Sequence, residues 1–299
     1  MTEGIIVNSE NSFGAFRYFI IPSEQTSLFD TVDEKRGIAI QSFFSVLLTD
    51  KKRSFEIKGK KHLLVFKQKI TESVYVCKFS MEAIKTIHKE GESDIENISE
   101  TDYPFIWVII DISRQILFIE LKTTVFSSIS VAKERLKNFL ELGFDLYGFE
   151  VAIEEISDSS TFWKFVDESE GVYEVLLILN SPNLFGGYNN TNDMLKDIQG
   201  TYNNSKTVLK LSNAKPKLQN ISPNNTKLKD AVDYASAGGG EWAVTVKPKG
   251  LKKRTHKSKH TIKKLSFKNI DSTEYLEQLK KDIINSLNKV ETILRNKGE

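Results

Sequence analysis

The chain has 299 residues, of which 39% are apolar and 27% are charged. This balance is typical of a folded globular protein and excludes intrinsic disorder. The net charge of +2 hides an asymmetry, because ten of the 42 basic residues lie within 247–268 and leave 32 basic against 40 acidic groups, or −8, elsewhere. Concentrated positive charge of this kind indicates a polyanionic partner.

The first half of the chain reads as antiparallel β-structure with helices. FGAFRYFIIP predicts a strand that ends at Pro22, and helical spacing of apolar residues predicts a helix over 33–49. RSFEIKG, HLLVFKQKI and SVYVCKFS predict a three-stranded meander. KEGESDIENISETDYP then reads as a polar acidic loop, and FIWVIIDISRQILFIELKTT as a second hairpin.

The second half alternates helices and strands. A helix that ends at Gly143 should turn its apolar residues Val131, Leu136, Phe139 and Leu140 inward. FEVAIEEIS and GVYEVLLILNSP read as a strand pair, and the Asn-rich residues 180–226 as short helical pieces and loops. AVDYASAGGGEWAVTV predicts a helix, a Gly-rich loop and a strand.

The C-terminus predicts a long amphipathic helix over about 273–296, with Asp271 or Ser272 as its N-cap. Its apolar stripe must pack either on the body of its own chain or on a symmetric partner. We therefore expect an α+β fold of antiparallel meanders with flanking helices. The expected divisions are an N-terminal domain (1–145), a second β-rich domain (146–270) and the terminal helix (271–299). The stripe consists of Leu276, Leu279, Ile283, Leu287, Val290 and Leu294.

The basic segment reads as two strand fragments, AVTVKPKGL and HTIKKLSF, joined by the polar arm KKRTHKSKH. Lysines and arginines along such a hairpin can neutralise phosphates and gain binding free energy by counterion release, without reading bases. A second basic cluster follows the first helix, and the two clusters could form two walls of one DNA-binding cleft. The predicted DNA contacts are Lys247, Lys249, Lys252, Lys253, Arg254, Lys257, Lys259, Lys263 and Lys264, with Lys51, Lys52, Arg53, Lys58, Lys60 and Lys61 as the second wall.

Other interpretations of the basic segment stay open. Lysine-rich loops are often only solvated surface, and the run also has the form of a localisation signal. The membrane interpretation is weaker, because no apolar face of helical period accompanies the charges. No recognition-helix, zinc-finger or RNP-type pattern occurs, so base-specific reading has no support.

One constellation resembles a metal-dependent nuclease. Asp111 and the Glu120-Leu121-Lys122 strand resemble a D…ExK pattern, in which two carboxylates share a divalent ion. If Ser113 and Arg114 form the turn, however, the two carboxylates are offset by four residues, or roughly 13 Å along a strand. An enzyme is therefore the alternative interpretation, beside a non-catalytic protein-interaction module, and no cofactor or metal is expected.

Signals for other compartments are missing from the sequence. The single cysteine, Cys77, excludes an intrachain disulfide and a thiolate zinc cluster. The longest apolar run, FIWVII, is far shorter than the roughly 18 residues that span a bilayer. The N-terminal residues do not resemble a secretory signal. We expect a cytoplasmic protein.

The order of elements resembles the RexA family of intracellular phage-exclusion proteins. The resemblance is carried by IAIQSFFSVLLTDKKRSFEIKGKKHLLVFKQKI, by YPFIWVIIDISRQILFIELKTTVFSS and by EVLLILNSPNLFGG. It implies an α+β protein with a movable second domain, and a homodimer that binds double-stranded DNA without sequence preference. It also implies a membrane-protein partner in abortive infection. In that family the strand that matches 116–124 lacks the Glu-x-Lys pair, and the basic arm has no counterpart.

Overall fold

A computed structural model describes residues 10–23, 32–90, 94–181, 189–202 and 204–295. Within these residues helices and antiparallel sheets form an α+β fold, as predicted. The helices are α1 (Val32–Asp50), α2 (Ile129–Phe144), α3 (Ser159–Asp167), α4 (Asn189–Tyr202), α5 (Thr226–Tyr234) and α6 (Leu276–Arg295). The strands are β1 (Glu10–Pro22), β2 (Lys52–Ile57), β3 (Lys60–Lys69), β4 (Val74–Met81), β5 (Ala83–Glu90), β6 (Ile95–Asp102), β7 (Phe105–Asp111), β8 (Ile116–Glu120), β9 (Phe149–Glu155), β10 (Ser169–Asn180), β11 (Lys206–Ser212), β12 (Gly240–Pro248), β13 (Arg254–Lys257) and β14 (Lys264–Lys268).

The larger sheet has the strand order β14-β1-β8-β7-β4-β3-β2, and β9 also pairs with β1. The predicted meander β2–β3–β4 and the predicted hairpin β7–β8 are both present. The predicted pairing of β9 with β10 is wrong, because β9 pairs with residues 16–22 of β1. β9 and β14 lie after residue 145, in the predicted second domain, but both pair with β1 of the predicted N-terminal domain.

A second sheet has the order β11-β10-β12-β13 and contains the first part of the basic segment, whereas the last part, β14, belongs to the larger sheet. Along β10 and β12, buried residues alternate with half-exposed ones, which is the pattern of a sheet with one face on a core and one face in water. β11 and α4 lie in the Asn-rich region, where we expected short helical pieces and loops. Residues 182–188 of that region lie outside the described residues.

The predicted acidic loop is wrong: most of this segment lies in the β5–β6 ribbon. β-branched residues such as Ile84, Thr86, Ile95 and Thr101 favour extended strands, and they do so here although neither face of the ribbon is buried. In the described part of the chain the two strands pack almost wholly against each other. The ribbon therefore projects from the body of the protein.

Two apolar cores hold the molecule together. One face of the large sheet packs on α1 and α2, and the other face joins α3, α5, α6 and the smaller sheet. Val131 is 37% exposed and does not face the core as predicted, whereas Leu136, Phe139 and Leu140 do. The stripe of α6 docks on its own chain, with Leu279, Ile283, Leu287 and Val290 buried. The helix begins three residues later than predicted, and the side chain of Leu294 lies outside the described residues.

Candidate nucleic-acid interface

The smaller sheet presents one solvent-exposed face, here called the open face. Trp242, Val244 and Val246 of β12 are buried against α3 and α5, so the intervening side chains point to the opposite side. Residues that pair across neighbouring strands point to the same side of a sheet, so the pairings of β10, β11 and β13 identify their side chains on this side. The open face consists of Glu174, Leu176, Ile178, Lys206, Val208, Lys210, Glu241, Ala243, Thr245, Lys247, Thr255 and Lys257.

Lysines lie along both edges of the open face. Lys210, Leu176, Ala243 and Lys257 form one cross-strand row, so Lys210 and Lys257 are separated by three strand spacings, or about 14 Å. That separation is comparable with the roughly 12 Å width of the major groove of B-DNA. The open face can therefore contact two lines of phosphates, one at each edge.

Two ion pairs on this side temper the positive charge. Lys210 lies 3.1 Å from Glu174, and Lys247 lies 2.9 Å from Glu170. The hydrogen bond between Lys247 and Glu170 raises the pKa of the lysine and lowers the pKa of the glutamate. Lys206 and Lys257, by contrast, are exposed and have no ion pair with another described residue. These two cations are the ones most readily available to an external anion.

The other basic residues of the arm are not all on the open face. Lys249 and Lys252 are exposed in the turn between β12 and β13, and the Nζ atom of Lys253 lies 3.5 Å from the centre of the Tyr173 ring. Arg254 pairs with Val246 and so belongs to the opposite face of the sheet. Lys264 lies on β14, the edge strand of the large sheet, where it pairs with Gly14 of β1. Lys263 directly precedes it, so neither residue belongs to the β12–β13 hairpin.

The second predicted wall divides between two sides of the large sheet. Arg53 belongs to the buried side: its guanidinium lies 4.3 Å from the centre of the Phe43 ring and donates to the Phe43 carbonyl, and burial lowers its pKa. Lys51 lies over the Phe66 ring. The register places Lys52 and Lys61 on the side opposite to Arg53, and Lys60 on the same side as Arg53. These residues do not form one continuous wall.

Of the residues predicted for the second wall, Lys58 lies at the same cavity as Lys259 of the basic segment. Lys58 and Gly59 form the two-residue turn between β2 and β3, and both have positive φ, which matches the twist of a tight hairpin. The turn places Lys58 at a cavity of about 510 Å³ that Lys259 also lines. Lys259 follows the open face directly, in a turn whose Ser258 is buried and accepts a hydrogen bond from the Trp242 backbone.

This cavity, here called the α2 cavity, lies beside one face of α2. Val131, Glu134, Arg135 and Asn138 line it at the spacing of a single helix face. Lys133 also lines the cavity and forms an ion pair of 2.8 Å with Glu155 of β9. Sequence reasoning missed Lys206, Lys210, Lys133 and Arg135, because none lies within a basic run and only the tertiary fold brings them to the arm.

The nuclease-like constellation has a different role in this structure. Asp111 is fully buried and accepts hydrogen bonds from Ser113 and Arg114, which include a 2.7 Å ion pair with the Arg114 guanidinium. Glu120 accepts from the Trp107 backbone at 2.8 Å and from Asn11 at 2.6 Å. Asp111 pairs with Ile116, so the register separates the two carboxylates by four residues as expected.

Lys122 does not complete a site with these carboxylates. It is exposed, and its Nζ atom lies 5.1 Å from the centre of the Phe105 ring. Among the described residues, no group of three or more His, Cys, Asp and Glu side chains is arranged to hold a metal ion. The structure does not bring Asp111, Glu120 and Lys122 together as the alternative interpretation requires.

Comparison with protein-family models, with curated proteins and with solved structures gives no match. Within the described residues, no helix is both long enough and apolar enough to span a bilayer. The functional inference therefore depends on the charge and geometry of this chain's own residues.

Proposed function

We propose that the protein binds double-stranded DNA without sequence preference, through the open face and the adjoining mouth of the α2 cavity. The observation that supports this best is the meeting of Lys58 and Lys259 at one cavity, although the two residues lie in different basic clusters. The clusters are far apart in sequence, and folding brings a member of each next to a sheet face with lysines at both edges.

The chemistry of the open face suits a phosphate backbone. Lysines make salt-dependent contacts with phosphates, and threonine hydroxyls add neutral hydrogen bonds to the same oxygens. Thr245 and Thr255 lie side by side in the middle of the face, with their hydroxyl oxygens 2.9 Å apart. The open face is a sheet surface without a recognition helix, and its lysines and threonines suit phosphates, so the proposed binding is independent of base sequence.

The biological setting of this activity is also a proposal. The resemblance to RexA proteins supports a role in phage exclusion or another anti-phage defence, in the cytoplasm. It supports a homodimer as the active assembly and a membrane protein as a partner in the same system. The defence role, the cytoplasmic location, the homodimer and the membrane partner depend on the resemblance and not on the geometry of the open face.

Salt-dependent binding to duplex DNA tests the proposal. The logarithm of the association constant should fall linearly with the logarithm of salt concentration, with a slope of about −0.9 for each phosphate engaged. Lys257→Glu should weaken binding and make the slope shallower. Arg254→Glu is the matched control, because it changes the same charge three residues away on the other face of β13. Two random-sequence duplexes should bind equally well.

Three results would contradict the proposal. Equal losses for Lys257→Glu and Arg254→Glu would remove the open face as the interface. A strong preference for one of the two duplexes would contradict sequence-independent binding. Weak binding with almost no salt dependence would indicate that the lysines are solvated surface, and would favour a protein-interaction module instead.

A further inference from the structure

The α2 cavity has features that a flat phosphate-binding surface does not need. Its volume of about 510 Å³ lies within the range of about 300–1,000 Å³ that is typical of small-molecule sites. It is bordered by four separate parts of the fold: the β2–β3 turn, α2, the end of β9, and Glu241 of β12 with Lys259. A phosphate group alone would fill only a small part of this space.

Three cations in the cavity are available to an anionic ligand. Lys133 is already neutralised by Glu155, whereas Lys58, Arg135 and Lys259 form no ion pair with any other described residue. They reach the cavity from the hairpin turn, from α2 and from the turn after β13. A guanidinium and two ammonium groups that converge from different elements are well suited to bind a phosphate.

The same cavity contains hydrogen-bond acceptors that a bare phosphate could not use. Glu134 and Glu241 line it, and their carboxylates would repel a small anion placed beside them. Glu155 is 5% exposed, its Oε1 atom is paired with Lys133 and its Oε2 atom is buried, so Glu134 and Glu241 are the carboxylates of the cavity that a ligand can reach. These carboxylates can accept hydrogen bonds from hydroxyl or amino groups, and Ser130 and Asn138 add polar contacts.

We propose that the α2 cavity binds a nucleoside phosphate, with the phosphate at Lys58, Arg135 and Lys259 and the sugar or base at the carboxylates. The ligand is either a free nucleotide or the phosphorylated end of a nucleic-acid strand, since both carry the same chemistry. The proposal goes beyond duplex binding, because it concerns a single nucleotide in a concave site. It is linked to the proposed interface through Lys58 and Lys259, which the two share.

Titration calorimetry on the full chain without duplex DNA tests this inference. AMP should bind, whereas adenosine and inorganic phosphate should each bind at least about tenfold more weakly, because each lacks half of the contacts. Arg135→Gln and Lys259→Gln should each weaken AMP binding by about tenfold or more. Lys85→Gln is the control, because Lys85 is an exposed residue on the β5–β6 ribbon.

A second arm identifies the source of the nucleotide. A short single-stranded oligonucleotide with a 5′-phosphate should compete with AMP if the site accepts strand ends, and the same strand without the phosphate should not. Competition by the phosphorylated strand and binding of AMP alone would both support the site. Equal binding of inorganic phosphate and AMP would overturn it, as would an absence of AMP binding or unchanged affinity in both variants.

The two proposals can fail separately. Loss of AMP binding in Arg135→Gln with an unchanged duplex salt slope would support the cavity and leave the open face untouched. A duplex salt slope that depends on Lys257, in a protein that does not bind AMP, would support the open face and overturn the nucleotide site.

Discussion

Replacing Arg114 with methionine should destabilise the protein strongly, because Arg114 links the β7–β8 turn to the C-terminal helix. Its guanidinium donates to the buried Asp111 at 2.7 Å, to Glu291 at 2.6 Å and to Asn288 at 3.1 Å. Burial alone would lower the pKa of Arg114, but the hydrogen bonds to Asp111 and Glu291 raise it above its ordinary value. Methionine retains much of the apolar part of the arginine side chain but removes the guanidinium charge and its hydrogen bonds.

The magnitude follows from the exposure of the partners. Asp111 is 0% exposed, and removal of one partner of a buried ion pair costs about 3–5 kcal/mol. The lower end applies here, because Arg114 is 30% exposed and Asp111 keeps its bonds to Ser113 and to the Arg114 backbone. The contact with Glu291 adds about 0–1 kcal/mol. A loss of about 3 kcal/mol would lower Tm by roughly 5 °C if the whole chain unfolds cooperatively.

Thermal and urea unfolding of four variants, Arg114→Met, Asp111→Asn, their combination and Lys164→Met, measure this effect. Lys164→Met is the matched control, because it breaks the 3.8 Å pair with Glu168, in which both side chains are more than 60% exposed, and should cost less than about 1 kcal/mol. Asp111→Asn combined with Arg114→Met should recover part of the loss, since no unpaired charge then remains buried. If Arg114→Met cost no more than Lys164→Met, or if the double variant were additive, the reasoning from a buried charge would be refuted.

Three further outcomes are expected. Leu287→Ala should cost about 2–5 kcal/mol in urea unfolding, because Leu287 is buried on its own chain, whereas the exposed Lys289→Ala should cost little. Burial raises the pKa of Glu154, so its ionisation destabilises the fold as the pH rises through that pKa. Glu154→Gln should therefore stabilise the protein near pH 7.5 more than near pH 4.5, and the exposed Glu150→Gln should show no such difference. Burial raises the pKa of Cys77, so iodoacetamide should modify this thiol only after unfolding; native-state labelling would contradict its burial.

Local patterns were sufficient to predict most individual elements. The meander β2–β4, the β7–β8 hairpin and the amphipathic α6 follow from alternation, helical spacing and turn residues, which depend on neighbours in sequence. The offset between Asp111 and Glu120 also follows from local register, because both belong to one hairpin. Where a strand could pair with several others, as β9 could, the pattern did not identify its partner.

The sequence by itself determined the α+β class, the concentration of positive charge in 247–268 and the apolar stripe of α6. Only the tertiary structure decided that the stripe packs on its own chain and that Arg254 and Lys257 occupy opposite faces. It also decided that Lys58, Arg135 and Lys259 converge on one cavity. The physical reason is that composition and periodicity are properties of short segments. A binding surface depends instead on which segments pair across the sheets, and that pairing is fixed by the burial of the whole chain.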